Sequence, residues 1–153
     1  MSKIIVKITE EIFRDLTTLG GFVFTGIVIL LSLVLQEIDL FLALLLGAVI
    51  TTGLVILIRL FYFKNRPNKE EHNTWIERID ASAFPSLHAA RVSYTALTLI
   101  QFFNDFTAAI FLGLMALAAS YSRIFLKKHD RIDVLAGIGL GVAVYAGYRL
   151  LFL

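Results

Sequence analysis

The chain has 153 residues, 58% of them hydrophobic and 17% charged, with a mean hydropathy of +0.82. A soluble domain is about 45–50% apolar and about 25% charged; one of this length could not bury so much apolar surface, so lipid must solvate most of the chain. The lack of cysteine excludes a disulfide framework, thiolate zinc sites and a cysteine nucleophile. The formal charge of +2 gives no reason to expect a nucleic-acid partner. One domain, residues 1–153, is expected at this length.

The first predicted element is an amphipathic helix over residues 3–18. Ile4, Ile8, Ile12 and Leu16 recur every four residues, with Lys7, Glu10, Glu11 and Arg14 between them, the pattern of a helix lying in the membrane interface. A secretory signal peptide would need an unbroken apolar stretch there, and none is present. Membrane-crossing helices need roughly 17–25 mostly apolar residues, and the charges mark their limits. Spans are predicted over Gly20–Gln36, over Leu40–Ile58 with helix continuing to Phe63, between Pro85 and Phe103, between Asp105 and Arg123, and from Asp133 to Leu153. The fold class is therefore all-α: a polytopic bundle of about five transmembrane helices, with Lys64–Phe84 as its one long connection.

Polar residues gather on one side. The turns Gln36–Asp39 and Gln101–Asp105 carry no lysine or arginine, whereas both longer loops and all three histidines lie opposite them. Ionisable residues inside spans are costly and mark function by default. Arg59 and Arg66 are seven residues apart, so a continuous helix would point both the same way until Pro67 stops it. Two guanidiniums at a membrane edge suit a phosphate's oxygens; snorkelling to headgroups is the plainer reading.

The third span opens Pro85-Ser86-Leu87-His88. Proline in a helix's first turn costs nothing, and the N–H groups of Ser86, Leu87 and His88 with the Ser86 hydroxyl are then expected to face an anion. His88 could give or take a proton beside it. His129 and Asp133 are spaced i, i+4, on one helical face. A carboxylate accepting the Nδ1 proton would leave Nε2 as nucleophile; a surface ion pair is the alternative. Arg123 adds a third guanidinium.

Together these residues describe covalent phosphoryl transfer: an Arg-clamped phosphate, a histidine nucleophile and a second histidine as acid. No metal or cofactor is expected. Hard cations want clustered oxygen ligands, and three arginines would repel a zinc ion held by His88 and His129. Arg91 is expected to pair with Glu77 or Asp80, His72 to be solvated, and Lys127, Lys128 and Arg131 to meet lipid headgroups. Trp75 and Phe84 suit an interfacial belt.

In this order the motifs resemble the type-2 phosphatidic acid phosphatases, which share a core with vanadium haloperoxidases. The family pattern K-x6-R-P, P-S-G-H, S-R-x5-H-x3-D reads here as Arg59…Arg66-Pro67, Pro85-Ser86-Leu87-His88 and Ser122-Arg123…His129…Asp133, over a core of about residues 40–153. The resemblance implies that His129 forms a phosphohistidine, oriented by Asp133, and that His88 protonates the leaving group. It implies that Arg59, Arg66, Ser86, Leu87 and Arg123 bind phosphoryl oxygens. Arg59 replaces the usual lysine, Leu87 replaces the glycine, and the chain has one span fewer than usual. The expected activity is hydrolysis of a lipid phosphate monoester or polyprenyl diphosphate in the cell membrane. The alternatives are a phosphotransferase with an alcohol acceptor and a catalytically idle lipid-binding protein. Oligomeric state has no signature in the sequence.

Overall fold

The computed structural model describes residues 3–68 and 73–152, so His72 lies outside the described residues. Among them the chain forms seven helices and no strand: α1 (Lys3–Thr18), α2 (Phe22–Val34), α3 (Ile38–Phe61), α4 (Trp75–Ala81), α5 (Leu87–Phe103), α6 (Phe106–Phe125) and α7 (Arg131–Phe152). The outside is apolar and much of the inside is polar. Phe22, Val49, Phe111 and Leu135 are exposed, while Arg59, Arg91, Arg123, His129 and Asp133 are buried. Only a lipid solvent makes that inversion stable, and the fold is a polytopic membrane helix bundle.

Helix α5 is the hub, packed against α3, α6 and α7. Its partner α7 can approach closely because Gly137 and Gly141 stand one turn apart on the contact face. A Cβ at Gly137 would overlap the Ser86 carbonyl oxygen, and one at Gly141 the Ala90 carbonyl oxygen. Small residues four apart let membrane helices touch backbone to backbone. On the α3 side Tyr94 is 1% exposed and donates its hydroxyl to the Ala43 carbonyl at 2.9 Å.

The five expected apolar helices are all present, but their lengths differ from the reading of charges alone. Helices α3, α6 and α7 are each long and apolar enough to cross a membrane, and α1 with α2 would add one bent span, with 46° between its halves. The expected first span shortens to the 13 residues of α2, about 20 Å at 1.5 Å per residue. It begins only after the Gly20–Gly21 break and ends before Gln36, whose φ is 63°. Helix α5, at 17 residues, carries His88 and Arg91 and is enclosed by other helices, so it does not need a lipid-compatible surface.

One further expectation is corrected. Helix α3 ends at Phe61, not Phe63, with Tyr62 extended at φ −132° and ψ 104°. The chain beyond it pairs with the segment before α5: Ala83 N–H donates to the Lys64 carbonyl at 2.7 Å, and Lys64 N–H to Ser82 Oγ at 3.4 Å. The connection also contains α4, whose capping box joins Thr74 and Glu77, a start signal legible as Thr-x-x-Glu. Trp75 on α4 is exposed and lies under the Arg78 guanidinium at 5.2 Å.

Helix α1 has the expected bounds but does more than lie in the interface. Ile4, Ile8 and Ile12 face outward, while Phe13 stacks on Phe125 of α6 with 4.1 Å between ring centroids. Its far end reaches the polar cluster.

Candidate active site

The site is built where the C-terminal end of α3, the N-terminal end of α5 and the α6–α7 turn meet. Arg59, in the last turn of α3, is 7% exposed. It donates to the carbonyls of Ile79 and Pro85, each at 3.0 Å, which ties α3 to the segment leading into α5. Its Nε is buried without a hydrogen-bond partner. Arg66 arrives differently from the expected single helical face. Proline disfavours the helical conformation in the residue before it, and Arg66, outside any helix ahead of Pro67, donates to the Asp80 carbonyl. Arg59 also reaches that carbonyl, at 3.5 Å, so the two guanidiniums converge through a shared acceptor rather than a shared helix face.

Ser86 is the N-cap of α5, so Pro85 precedes the helix and does not occupy its first turn. The Ser86 N–H is taken: it donates to the Asp133 carbonyl at 2.9 Å. Its hydroxyl, fully buried, accepts from the Ala89 N–H at 3.4 Å. This corrects the expectation that the Ser86 N–H would face an anion; the hydroxyl keeps its own proton to donate. The N–H groups of Leu87 and His88 make no hydrogen bond among the described residues, and these two remain to meet one. The electrostatic field at His88 comes chiefly from Arg123, Arg91, Arg66 and Arg59.

His129 is 2% exposed, in the turn before α7. That turn closes on α6, where the Arg123 carbonyl accepts the N–H groups of Lys128 at 3.0 Å and His129 at 3.2 Å. The ring's Nδ1 lies 2.7 Å from the Ala83 carbonyl and 4.0 Å from the Asp133 carboxylate. A carbonyl only accepts, so Nδ1 carries the proton and Nε2 the lone pair. The expected role of Asp133 as the direct acceptor is therefore taken by Ala83. Burial first, then Arg123, lowers the His129 pKa from 6.5 to about 3, with the Ala83 hydrogen bond working against them.

Asp133, fully buried, has other partners. Lys64 Nζ lies 2.7 Å from one of its oxygens and 2.6 Å from Asp130. Asp130 and Asp133 exchange backbone-to-carboxylate bonds at 3.0 Å, a reciprocal cap on α7. Burial opposes the Lys64 charge, but the bonds to Asp130 and Asp133 outweigh it and raise its pKa above 10.5. Arg123 is 7% exposed and donates to Thr17 Oγ1 of α1 at 2.9 Å. Arg91 pairs with neither Glu77 nor Asp80: it donates to Thr52 Oγ1 at 3.2 Å and covers the Phe22 ring at 5.6 Å.

The expected site residues Arg59, Arg66, Ser86, Leu87, His88, Arg123, His129 and Asp133 are thus brought to one end of the bundle. Sequence reasoning missed the Ala83 carbonyl, Thr17 and the bridging role of Lys64; only the Asp130–Asp133 cap had a local signature, Asp-x-x-Asp at a helix start.

Fold and site define a helical membrane protein with a buried cationic site around two histidines. The chain belongs to the PAP2 superfamily, whose family model matches residues 37–152. In fold it is similar to Aquifex aeolicus LpxE, with a TM-score of 0.78 and 22% identity over 94% of this chain and 86% of that one. It is also similar to a transmembrane PAP2 type phosphatidylglycerolphosphate phosphatase from Bacillus subtilis, with a TM-score of 0.64 and 21% identity over 95% and 78%. No curated protein matches the chain.

Proposed function

We propose that this protein is a cell-membrane lipid phosphatase, hydrolysing a lipid phosphate monoester or polyprenyl diphosphate through a phosphohistidine at His129. The observation that carries this reading is the Nδ1 bond to Ala83, which leaves an unprotonated Nε2 within the field of Arg123, Arg66 and Arg59. In the first step Nε2 attacks phosphorus, the phosphorus–oxygen bond to the leaving group breaks, and His88 gives that oxygen its proton. The negative charge of the bound phosphate offsets the arginines around His88 and lets it hold the proton beforehand. Arg59, Arg66, Arg123 and the Leu87 and His88 N–H groups stabilise the equatorial oxygens, while Ser86 fixes the start of α5. In the second step His88 takes a proton from water, which attacks phosphorus as the phosphorus–nitrogen bond breaks. Charge stabilisation comes from guanidiniums, so the chemistry requires no metal. Membership of the PAP2 superfamily supports the reading, and the fold likeness to a phosphatidylglycerolphosphate phosphatase supports a phosphorylated membrane lipid as substrate.

Phosphate release from phosphatidic acid, phosphatidylglycerophosphate and a C55-type diphosphate, measured side by side in detergent, tests it. Turnover of at least one, blocked by vanadate, insensitive to EDTA and lost in a folded His129→Ala variant, is the expected result. Full activity in His129→Ala would end the mechanism.

A further inference from the structure

Lys64 lies in the connection after α3, outside the motif positions, and holds the surroundings of His129 from two sides. Its main chain pairs with the segment before α5: the Lys64 carbonyl accepts the Ala83 N–H at 2.7 Å, and its N–H donates to Ser82 Oγ at 3.4 Å. That pairing presents the Ala83 carbonyl to His129 Nδ1, 2.7 Å away. The side chain meets α7, where Nζ lies 2.7 Å from Asp133 Oδ1 and 2.6 Å from Asp130 Oδ2. The other Asp133 oxygen stands 4.0 Å from the same Nδ1. One residue thus reaches both acceptors that the nucleophile's ring faces.

The charges around His129 define what the ammonium does. Arg123 of α6, with Arg66 and Arg59 from the α3 side, acts against a second proton on the ring; α5 contributes His88, and Asp80 of α4 acts on Arg59. Asp133 works the other way. A carboxylate within about 4–6 Å of a histidine favours its protonated form, and a protonated Nε2 has no lone pair with which to attack. Asp133 is fully buried, so water screens its charge little and the ammonium must. We propose that Lys64 is a positioning residue for the nucleophile: its main chain holds Ala83 against Nδ1, and its ammonium cancels the Asp133 charge so that Nε2 keeps its lone pair. The proposal rests on the reading of His129 as nucleophile and adds what keeps that ring ready to attack.

Nitrogen NMR of labelled His129 in substrate-free protein reads this without turnover. In Lys64→Met the His129 titration should move up from about 3 by about 1–3 pH units, and the acid limb of kcat/KM against pH should follow. Lys64→Gln keeps a donor but not the charge; it serves where the stranded carboxylate stops the Met variant folding, and it should shift likewise. Lys64→Arg should keep the wild-type titration. In the double variant Lys64→Met with Asp133→Asn no charge is stranded, and the titration should return to the wild-type value, a reversal that mere loosening of the loop would not give. An unmoved titration in folded Lys64→Gln protein, or a shift that Asp133→Asn fails to reverse, would overturn the proposal. Hydrolysis that still depends on His129 would then leave the phosphatase reading intact. The expected shift in a protein that hydrolyses no lipid would show Lys64 controlling the ring and would end the phosphatase reading instead.

Discussion

His129 holds its Nδ1 2.7 Å from the carbonyl oxygen of Ala83, and this bond sets the tautomer of the proposed nucleophile. A main-chain carbonyl cannot ionise, so the ring keeps its orientation whatever the charge on Asp133. Asp133 instead anchors Lys64 and the start of α7.

Asp133→Asn should therefore lower kcat by about tenfold to a hundredfold, whereas His129→Ala should leave only background. Lys64→Met strands a carboxylate that is fully buried, a loss that approaches the ~3–5 kcal/mol of breaking a buried pair. Asp130→Asn touches a partner whose side chain is 43% exposed and should cost only about 0–1 kcal/mol. Kinetics and thermal unfolding of the three proteins in detergent check the order.

The pH dependence follows from the same pocket. An unfolded His129 takes up a proton near 6.5 and the folded one only near about 3. Between those values the unfolded state binds more protons, so this contribution is present in full above 6.5 and is lost as pH falls towards 3. Lys64 acts at the other limit: its raised pKa gives stability below 10.5 that disappears as pH rises through the folded value. Nitrogen NMR of labelled His129 should show a neutral, Nδ1-protonated ring from about pH 8 to about pH 5. A titration near the ordinary histidine value would contradict the buried pocket.

Gly137 lies against the Ser86 backbone, so Gly137→Ala should push the start of α5 away from α7. Overpacking of this kind costs about 1–3 kcal/mol, and activity should fall with it because His88 and the free N–H groups move too. Gly139→Ala, where a Cβ meets nothing, should be neutral or stabilise by up to about 1 kcal/mol. Thermal unfolding and kcat of the pair give the comparison.

Much of the fold was legible because the lipid solvent leaves a strong local signal: apolar runs cut by Asp39, Arg59, Asp105 and Arg123 locate α3 and α6 to within a few residues. The motif residues were legible because each has a fixed spacing. Arg66 was misplaced on a helix because its conformation depends on pairing of the chain near Lys64 with Ala83, a contact across the loop. The Ala83 carbonyl carried no signal at all, since every residue has one and only the fold selects it. Arg91 met Thr52 and Phe22 for a similar reason: the helices that face it are set by packing, not by its neighbours in sequence.

The end of α1 was likewise invisible as part of the site. Thr17 accepts from Arg123 at 2.9 Å, and a Cβ at Gly20 would stand 2.8 Å from the His88 carbonyl oxygen, so the end of this helix and the turn after it pack on two site residues at once. Thr17→Val removes a hydrogen bond to a charged group, worth about 1.5–3 kcal/mol, and should weaken vanadate inhibition by about tenfold while the protein stays folded. Unchanged inhibition would show that Arg123 needs no support from α1.

The most direct test is to trap the covalent intermediate. Wild-type protein mixed with a radiolabelled lipid phosphate and quenched in alkali, which preserves phosphorus–nitrogen bonds, should carry label on His129 and on no other residue. His129→Ala should carry none. Product formation at full rate with no label on that imidazole, or with label on His88, would contradict the account.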